Sequence, residues 1–232
     1  FVAMMFSEPL SRLLPFQVGG WHGAGLGAFC GMSFIVPALL FMQRRQQQTA
    51  AVAEEVGLAR TSDSARDSLV RRIQLLLGNS EVSFANASQR QIDGARLAVG
   101  TLSIESGFHS MDSSRITHRQ TAVFLEADSL RLPRFSLTPE TRSTQLLLNL
   151  VGAPDFDFED SPEFSDRYFL SGDFEESVRR LFQKELRDFF TSRPGWELRG
   201  DGSRLILYRP RLICPPDELK EFVRDAVRLF RR

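Results

Sequence analysis

Residues 196–209 read Trp-Glu-Leu-Arg-Gly-Asp-Gly-Ser-Arg-Leu-Ile-Leu-Tyr-Arg. Asp-Gly between two apolar-rich runs is a strong hairpin signal, so 196–200 and 204–209 are predicted to pair around Asp201-Gly202. Helical patterns flank this hairpin. Upstream, Asp173 can cap a helix, with Glu176 three residues on. Val178, Leu181, Phe182, Leu186, Phe189 and Phe190 follow as one apolar stripe, and Gly195 ends it. Downstream, Pro215-Pro216 opens a final helix whose stripe is Leu219, Phe222, Val223, Ala226, Val227 and Phe230.

Further out, Asp155 to Glu159 alternates acid and Phe strictly, which predicts a half-buried strand with Phe156 and Phe158 inward. Residues 166–170 read as another short strand. Thr138-Pro139-Glu140 opens an expected helix reaching about Val151. The C-terminal order is therefore helix–strand–helix–hairpin–helix. Residues 80–137 alternate less regularly, with strands expected near 81–85, 95–105, 115–127 and 130–137, and a turn at 106–114. This reads as an antiparallel β-meander. Leu69, Ile73, Leu76 and Leu77 make one face of a short helix before Gly78-Asn79. The predicted class is α+β, with a folded domain over 68–232.

The run Phe156-Asp157-Phe158, Pro162-Glu163-Phe164-Ser165, Arg167-Tyr168, Leu170 and Gly172 resembles a family of uncharacterised bacterial membrane-anchored proteins. Its pattern is roughly D-F-D-F-x-x-x-P-E-F-S-x-x-Y-x-L-x-G-x-D-E. Gln120-Thr121 and Leu132-Pro133-x-Phe135-x-Leu137-x-Pro139-Glu140 resemble it too. The likeness spans about 115–232. It implies one or two N-terminal membrane helices before an α+β domain, and no activity. Phe174 departs from the pattern, where an acid is common.

The N-terminal part agrees with such an anchor. From Leu13 to Gln43 there is no Asp, Glu, Lys or Arg, and Gly23 to Met42 is long enough to cross a bilayer as a helix. A transmembrane helix is expected over 18–43, after an N-terminal segment (1–17) that ends a preceding membrane helix and loop. A juxtamembrane helical arm follows over 44–67. Gly23, Gly27 and Gly31 fall on one helix face, spaced for close packing with a second helix or a second copy. Arg44 and Arg45 follow the apolar run directly. The positive-inside rule then puts the folded domain in the cytoplasm, at the bacterial inner membrane.

Lys plus Arg and Asp plus Glu both total 29. Zero net charge argues against nucleic acid as a partner bound by bulk positive charge. The excess of Arg over Lys reads as coding bias. Cys30 and Cys214, far apart in sequence, make no disulfide framework, and no Cys/His cluster suggests zinc.

Neutrality hides polarity. Residues 155–176 hold nine acids and one base, Arg167. Asp155, Asp157 and Glu159 project from one strand face and are the candidate ligands for Ca²⁺ or Mg²⁺. Asp160 stands where a calcium loop needs Gly, so a solvated face or a docking surface for a basic partner competes with that reading. His109 and His118 lie near Ser110 and Asp112, yet no nucleophile elbow or phosphate-binding loop is present. No cofactor is implied. Arg224, Arg228, Arg231 and Arg232 complement the dipole of the last helix or, with Arg44 and Arg45, contact lipid or a partner. The expected function is a membrane-anchored, non-enzymatic interaction module. The alternatives are a metal-binding or enzymatic domain at 155–163, or a subunit of a larger membrane assembly.

Overall fold

The apolar runs Ala122–Leu125 and Leu205–Tyr208 have no polar alternation, and a short run of this kind fits a strand covered on both faces. They are neighbours at the centre of the sheet. The structure, a computed structural model, describes residues 48, 51–78, 81–106, 116–141 and 154–231. The chain divides after Arg45, and all of these residues belong to the unit Gln46–Arg232.

The elements run β1 (Ala59–Arg60), α1 (Asp63–Leu77), β2 (Glu81–Ile92), β3 (Ala95–Ser106), β4 (Ile116–Glu126) and β5 (Leu132–Pro139). Then come α2 (Pro162–Ser165), β6 (Tyr168–Gly172), α3 (Glu175–Leu181), α4 (Lys184–Ser192), β7 (Glu197–Gly202), β8 (Arg204–Tyr208) and α5 (Pro216–Phe230). Among the described residues the strands form one eight-stranded sheet, in the order β1-β2-β3-β4-β8-β7-β5-β6. Every neighbouring pair is antiparallel.

This corrects the expected fold. The meander strands and the C-terminal strands share this one sheet. After β4 the chain skips two positions before laying down β5, and the β7–β8 hairpin fills them. Val123 faces Leu207 across one seam, and Leu137 faces Leu198 across the other. The membrane part of the expectation is corrected as well. No helix among the described residues is long and apolar enough to cross a membrane. The expected 18–43 helix lies outside the described residues, as do its Gly23, Gly27 and Gly31 face, Arg44 and Arg45.

Alternation along the central strands divides the core in two. Leu97, Val99, Val123, Leu125, Leu205 and Leu207 face α3, α4 and α5, which bury Val178, Phe190 and Phe222 on that side. Ala98, Leu102, Ala122, Phe124, Ile206 and Tyr208 face α1, which supplies Leu69, Ile73, Leu76 and Leu77. Each face has its own helix layer, and this is why the runs at 122–125 and 205–208 carry no polar residues.

Local irregularities keep the pattern in phase. The β2–β3 register shifts by one residue between Ala85 and Ser88, where Asn86 takes φ +52. This bulge puts Phe84 and Ala87, three apart, into the same core. Gly100 sits where a Cβ would come within 2.8 Å of the Phe84 ring. Packing also reaches upstream of residue 68, since Ala53 and Leu58 are buried in the larger core and β1 extends the sheet.

The sequence reading is shifted in three further places. The helix expected from Asp173 to Gly195 breaks at Phe182-Gln183 into α3 and α4, and α3 has Phe174 as its N-cap with no side-chain cap bond. Thr138 and Pro139 close β5 rather than open a helix, and 142–153 lie outside the described residues. Asp201 pairs with Arg204, so the hairpin turn itself is Gly202-Ser203, with Gly202 at φ +57.

Candidate functional site

The D-F-D-F-x-x-x-P-E-F-S-x-x-Y-x-L-x-G stretch forms a packed joint. Phe156 and Phe158 point inward as the alternation predicts. The ladder they were expected to join is a fragment. The Phe156 N–H donates to the Leu170 carbonyl (2.8 Å), and the Leu170 N–H donates to Asp155 Oδ1 (3.0 Å). A side-chain carboxylate thus takes the place of a backbone acceptor, and the pairing stops there. Phe158 packs edge-on to Phe164, which stacks on Tyr168 at 5.5 Å, and Tyr168 meets Phe190. The Ser165 hydroxyl accepts the Phe158 N–H (2.9 Å). The Tyr168 hydroxyl reaches the Phe190 and Arg193 carbonyls. A Cβ on Gly172 would meet the Arg134 carbonyl and Val178. The motif's aromatic residues, Ser165 and Gly172 therefore have packing or hydrogen-bonding reasons.

The acids of this stretch are mostly occupied. The buried Arg187 guanidinium pairs with Asp160, donates to Ser161 Oγ (2.9 Å) and the Phe182 carbonyl (2.8 Å), and covers the Phe158 ring. Arg179 donates to Glu175 (2.8 Å) and the Asp157 carbonyl (2.6 Å). Arg167 pairs with Glu163 at 2.7 Å. Among the described residues no group of three His, Cys, Asp or Glu could hold a metal ion. Asp155, Asp157 and Glu159 lie along the segment, and the Asp155 carboxylate is engaged by Leu170. Burial pushes the Asp155 carboxyl above its ordinary 3.8, and the Leu170 N–H opposes the rise. The neighbouring charges of Asp157 and Glu140 add to it.

A cavity of about 560 Å³ opens on the α3–α5 side of the sheet. Its sheet wall is Leu132 and Phe135 of β5, Leu198 of β7 and Leu205 of β8. Leu181 and Leu186 bound it from α3 and α4, and Leu229 and Phe230 from the last turn of α5. Gly200 belongs to this construction, because a Cβ there would strike the Phe135 ring. The polar residues of the lining, Arg180, Gln183 and Glu185, are all exposed and mark the mouth. A second cleft of about 340 Å³ shares Glu185 and is polar, with Asp188, Arg193 and Arg228.

Neither a family model nor a curated protein matches the chain. A solved structure that resembles it is the crystal structure of the mycobacterial trehalose monomycolate transport factor A, TtfA. The identity is 13% and the TM-score 0.49, over 80% of this chain and 92% of that one.

The opposite face holds a polar triad of buried Glu197 and Tyr208 with half-buried Arg199. Glu197 and Tyr208 are direct partners across the β7–β8 ladder, and Arg199 is two residues from Glu197 on the same face. The Tyr208 hydroxyl donates to Glu197 Oε1 (2.5 Å), which also accepts from Arg199 Nε (3.0 Å) and Nη2 (2.8 Å). Burial, with the Glu197 charge beside it, pushes the Tyr208 phenol well above its ordinary value. Three groups bonded to one another across adjacent strands lock the hairpin.

Of the C-terminal arginines, Arg228 pairs with Asp225 at 3.7 Å and Arg231 with Asp93 at 2.9 Å. Arg224 is exposed on α5, and Arg232 lies outside the described residues. The sequence reading missed the cavity. Its lining comes from six elements, and the four sheet residues fall on β5, β7 and β8, whose adjacency depends on the strand order. The local signal was that Leu181, Leu186 and Phe230 belong to the apolar helix stripes.

Proposed function

We propose that this domain is a non-enzymatic binding module whose ligand is aliphatic and sits in the cavity between α4 and α5. The observation carrying this reading is the cavity itself: a volume of about 560 Å³, walls of Leu and Phe, and polar groups confined to the mouth. Small-molecule sites typically have such volumes and apolar walls, with a few polar groups to orient the ligand. Two buried polar side chains support the same reading, since Glu197 and Arg187 are hydrogen-bonded to neighbours within the fold.

The test is a titration of the full chain with a fluorescent aliphatic probe, followed by displacement with unlabelled decanol. Saturable binding of one probe per chain is expected, with a rise in melting temperature on saturation. Leu186→Trp and, separately, Leu132→Trp fill the cavity from half-buried positions and should abolish binding while the melting temperature without ligand holds. A wild-type chain with no saturable binding rejects the reading.

A further inference from the structure

We propose that the ligand carries an anionic head group and that Arg180 selects it. This rests on the reading of the cavity as an aliphatic-ligand site. α3 ends with two consecutive arginines that do different things. Arg179 is committed to the acidic segment, through Glu175, the Asp157 carbonyl and the Phe158 ring. Arg180, one residue on, turns to the cavity and lines its mouth. Its ion-pair partner is Glu176 at 4.0 Å, with the two side chains 72% and 87% exposed, so the contact is long and solvated. Such a pair holds a guanidinium weakly and releases it at little cost.

Arg180 is the one cation among the described lining residues, which are otherwise apolar except for Gln183 and Glu185. Glu185, the anion there, is engaged in an interaction of its own. Gln183 adds an amide donor beside Arg180. A guanidinium fork binds a carboxylate through two parallel hydrogen bonds, and a neutral alcohol cannot match that geometry. The site therefore suits a single alkyl chain ending in a carboxylate or a comparable oxyanion, with the chain against Leu198, Leu205 and Phe230 and the head group at Arg180.

The experiment compares decanoate, decanol and decyltrimethylammonium on the full chain at neutral pH, by calorimetry and by probe displacement. Decanoate should bind about fivefold tighter than decanol, the size expected of a partly exposed ion pair. Decyltrimethylammonium should bind more weakly than either. In Arg180→Gln the decanoate affinity should fall to that of decanol, with decanol unchanged. Raising the salt should shrink the wild-type preference. If decanoate and decanol bind the wild type equally, the head-group inference is wrong and the cavity reading stands. If none of the three binds, both fall. If Arg180→Gln keeps the full preference, the selection does not reside in Arg180 and the inference is rejected.

Discussion

The guanidinium carbon of Arg187 lies 4.2 Å from the centre of the Phe158 ring, and both side chains are buried. That contact joins α4 to the extended segment before α2. The same guanidinium bonds Ser161 and the Phe182 carbonyl, so it also fixes the break between α3 and α4. Arg187→Ala removes charge-assisted hydrogen bonds and the ring cover together, and should cost about 3 kcal/mol in urea denaturation. Arg187→Lys should recover less than half of that, because an ammonium has no planar fork to reach three acceptors while stacking. A lysine variant as stable as the parent would show that charge alone is what the site needs.

Tyr168 and Tyr208 are the chain's two tyrosines, both are buried, and both phenols are pushed above the ordinary value of 10.0 chiefly by burial. A raised phenol holds its proton in the native state after the unfolded state has released it. The associated stability is complete below the unfolded value and is lost as the pH climbs toward the folded one. Tyrosinate absorbance should therefore stay flat near pH 10 and then rise in one step with the loss of near-ultraviolet dichroism. Independent titration of either phenol in a folded chain would contradict the burial described here.

Features carried by neighbours in sequence were legible, and those carried by strand order were not. The α5 stripe is buried nearly as read, at Leu219, Phe222, Val223 and Ala226, because a 3.6-residue period alone determines that face. The β7–β8 hairpin was readable from Asp201-Gly202, with the turn displaced by one residue. A second signal of the same kind, Asp93-Gly94, went unused; both residues take positive φ and join β2 to β3 in a two-residue turn. The α3–α4 break had no local mark, since Phe182 fits a continuous stripe and Arg187 enforces the break from five residues on. The apolar runs at 122–125 and 205–208 fit strands covered on both faces. That β8, β7 and β5 lie side by side, and so create the sheet wall of the cavity, depends on a skip between β4 and β5 that no spacing encodes.

Gly200 is a position where a side chain and the cavity compete. A Cβ there would overlap the Phe135 ring, which is itself packed edge-on to Phe182 at 5.2 Å. Gly200→Ala should destabilise by about 1–3 kcal/mol, the range for overpacking a filled core. It should also reduce probe binding, because the displaced Phe135 ring lines the cavity. Gly100→Ala, against Phe84 on the α1 side, should destabilise comparably with no effect on the probe. Equal loss of probe binding in the two variants would mean that the effect travels through global stability.

Asp155 sets an acid-side prediction that separates its hydrogen bond from its charge. Its carboxyl is raised above 3.8, first by burial and further by Asp157 and Glu140, so the native state holds the proton more tightly than the unfolded state does. The contribution to stability is fully present below the unfolded value and is lost as the pH rises through the folded one. Asn at this position keeps an oxygen for the Leu170 N–H and carries no charge. Asp155→Asn should therefore match the parent near pH 3.5 and become the more stable of the two as the pH approaches 7. Its advantage should be about 1 kcal/mol or less, given partial exposure. Thermal melts of both chains across that range measure the difference directly. If Asp155 instead held a divalent cation with Asp157 and Glu159, the order at neutral pH would reverse on adding Ca²⁺, with the parent gaining stability and the Asn variant not.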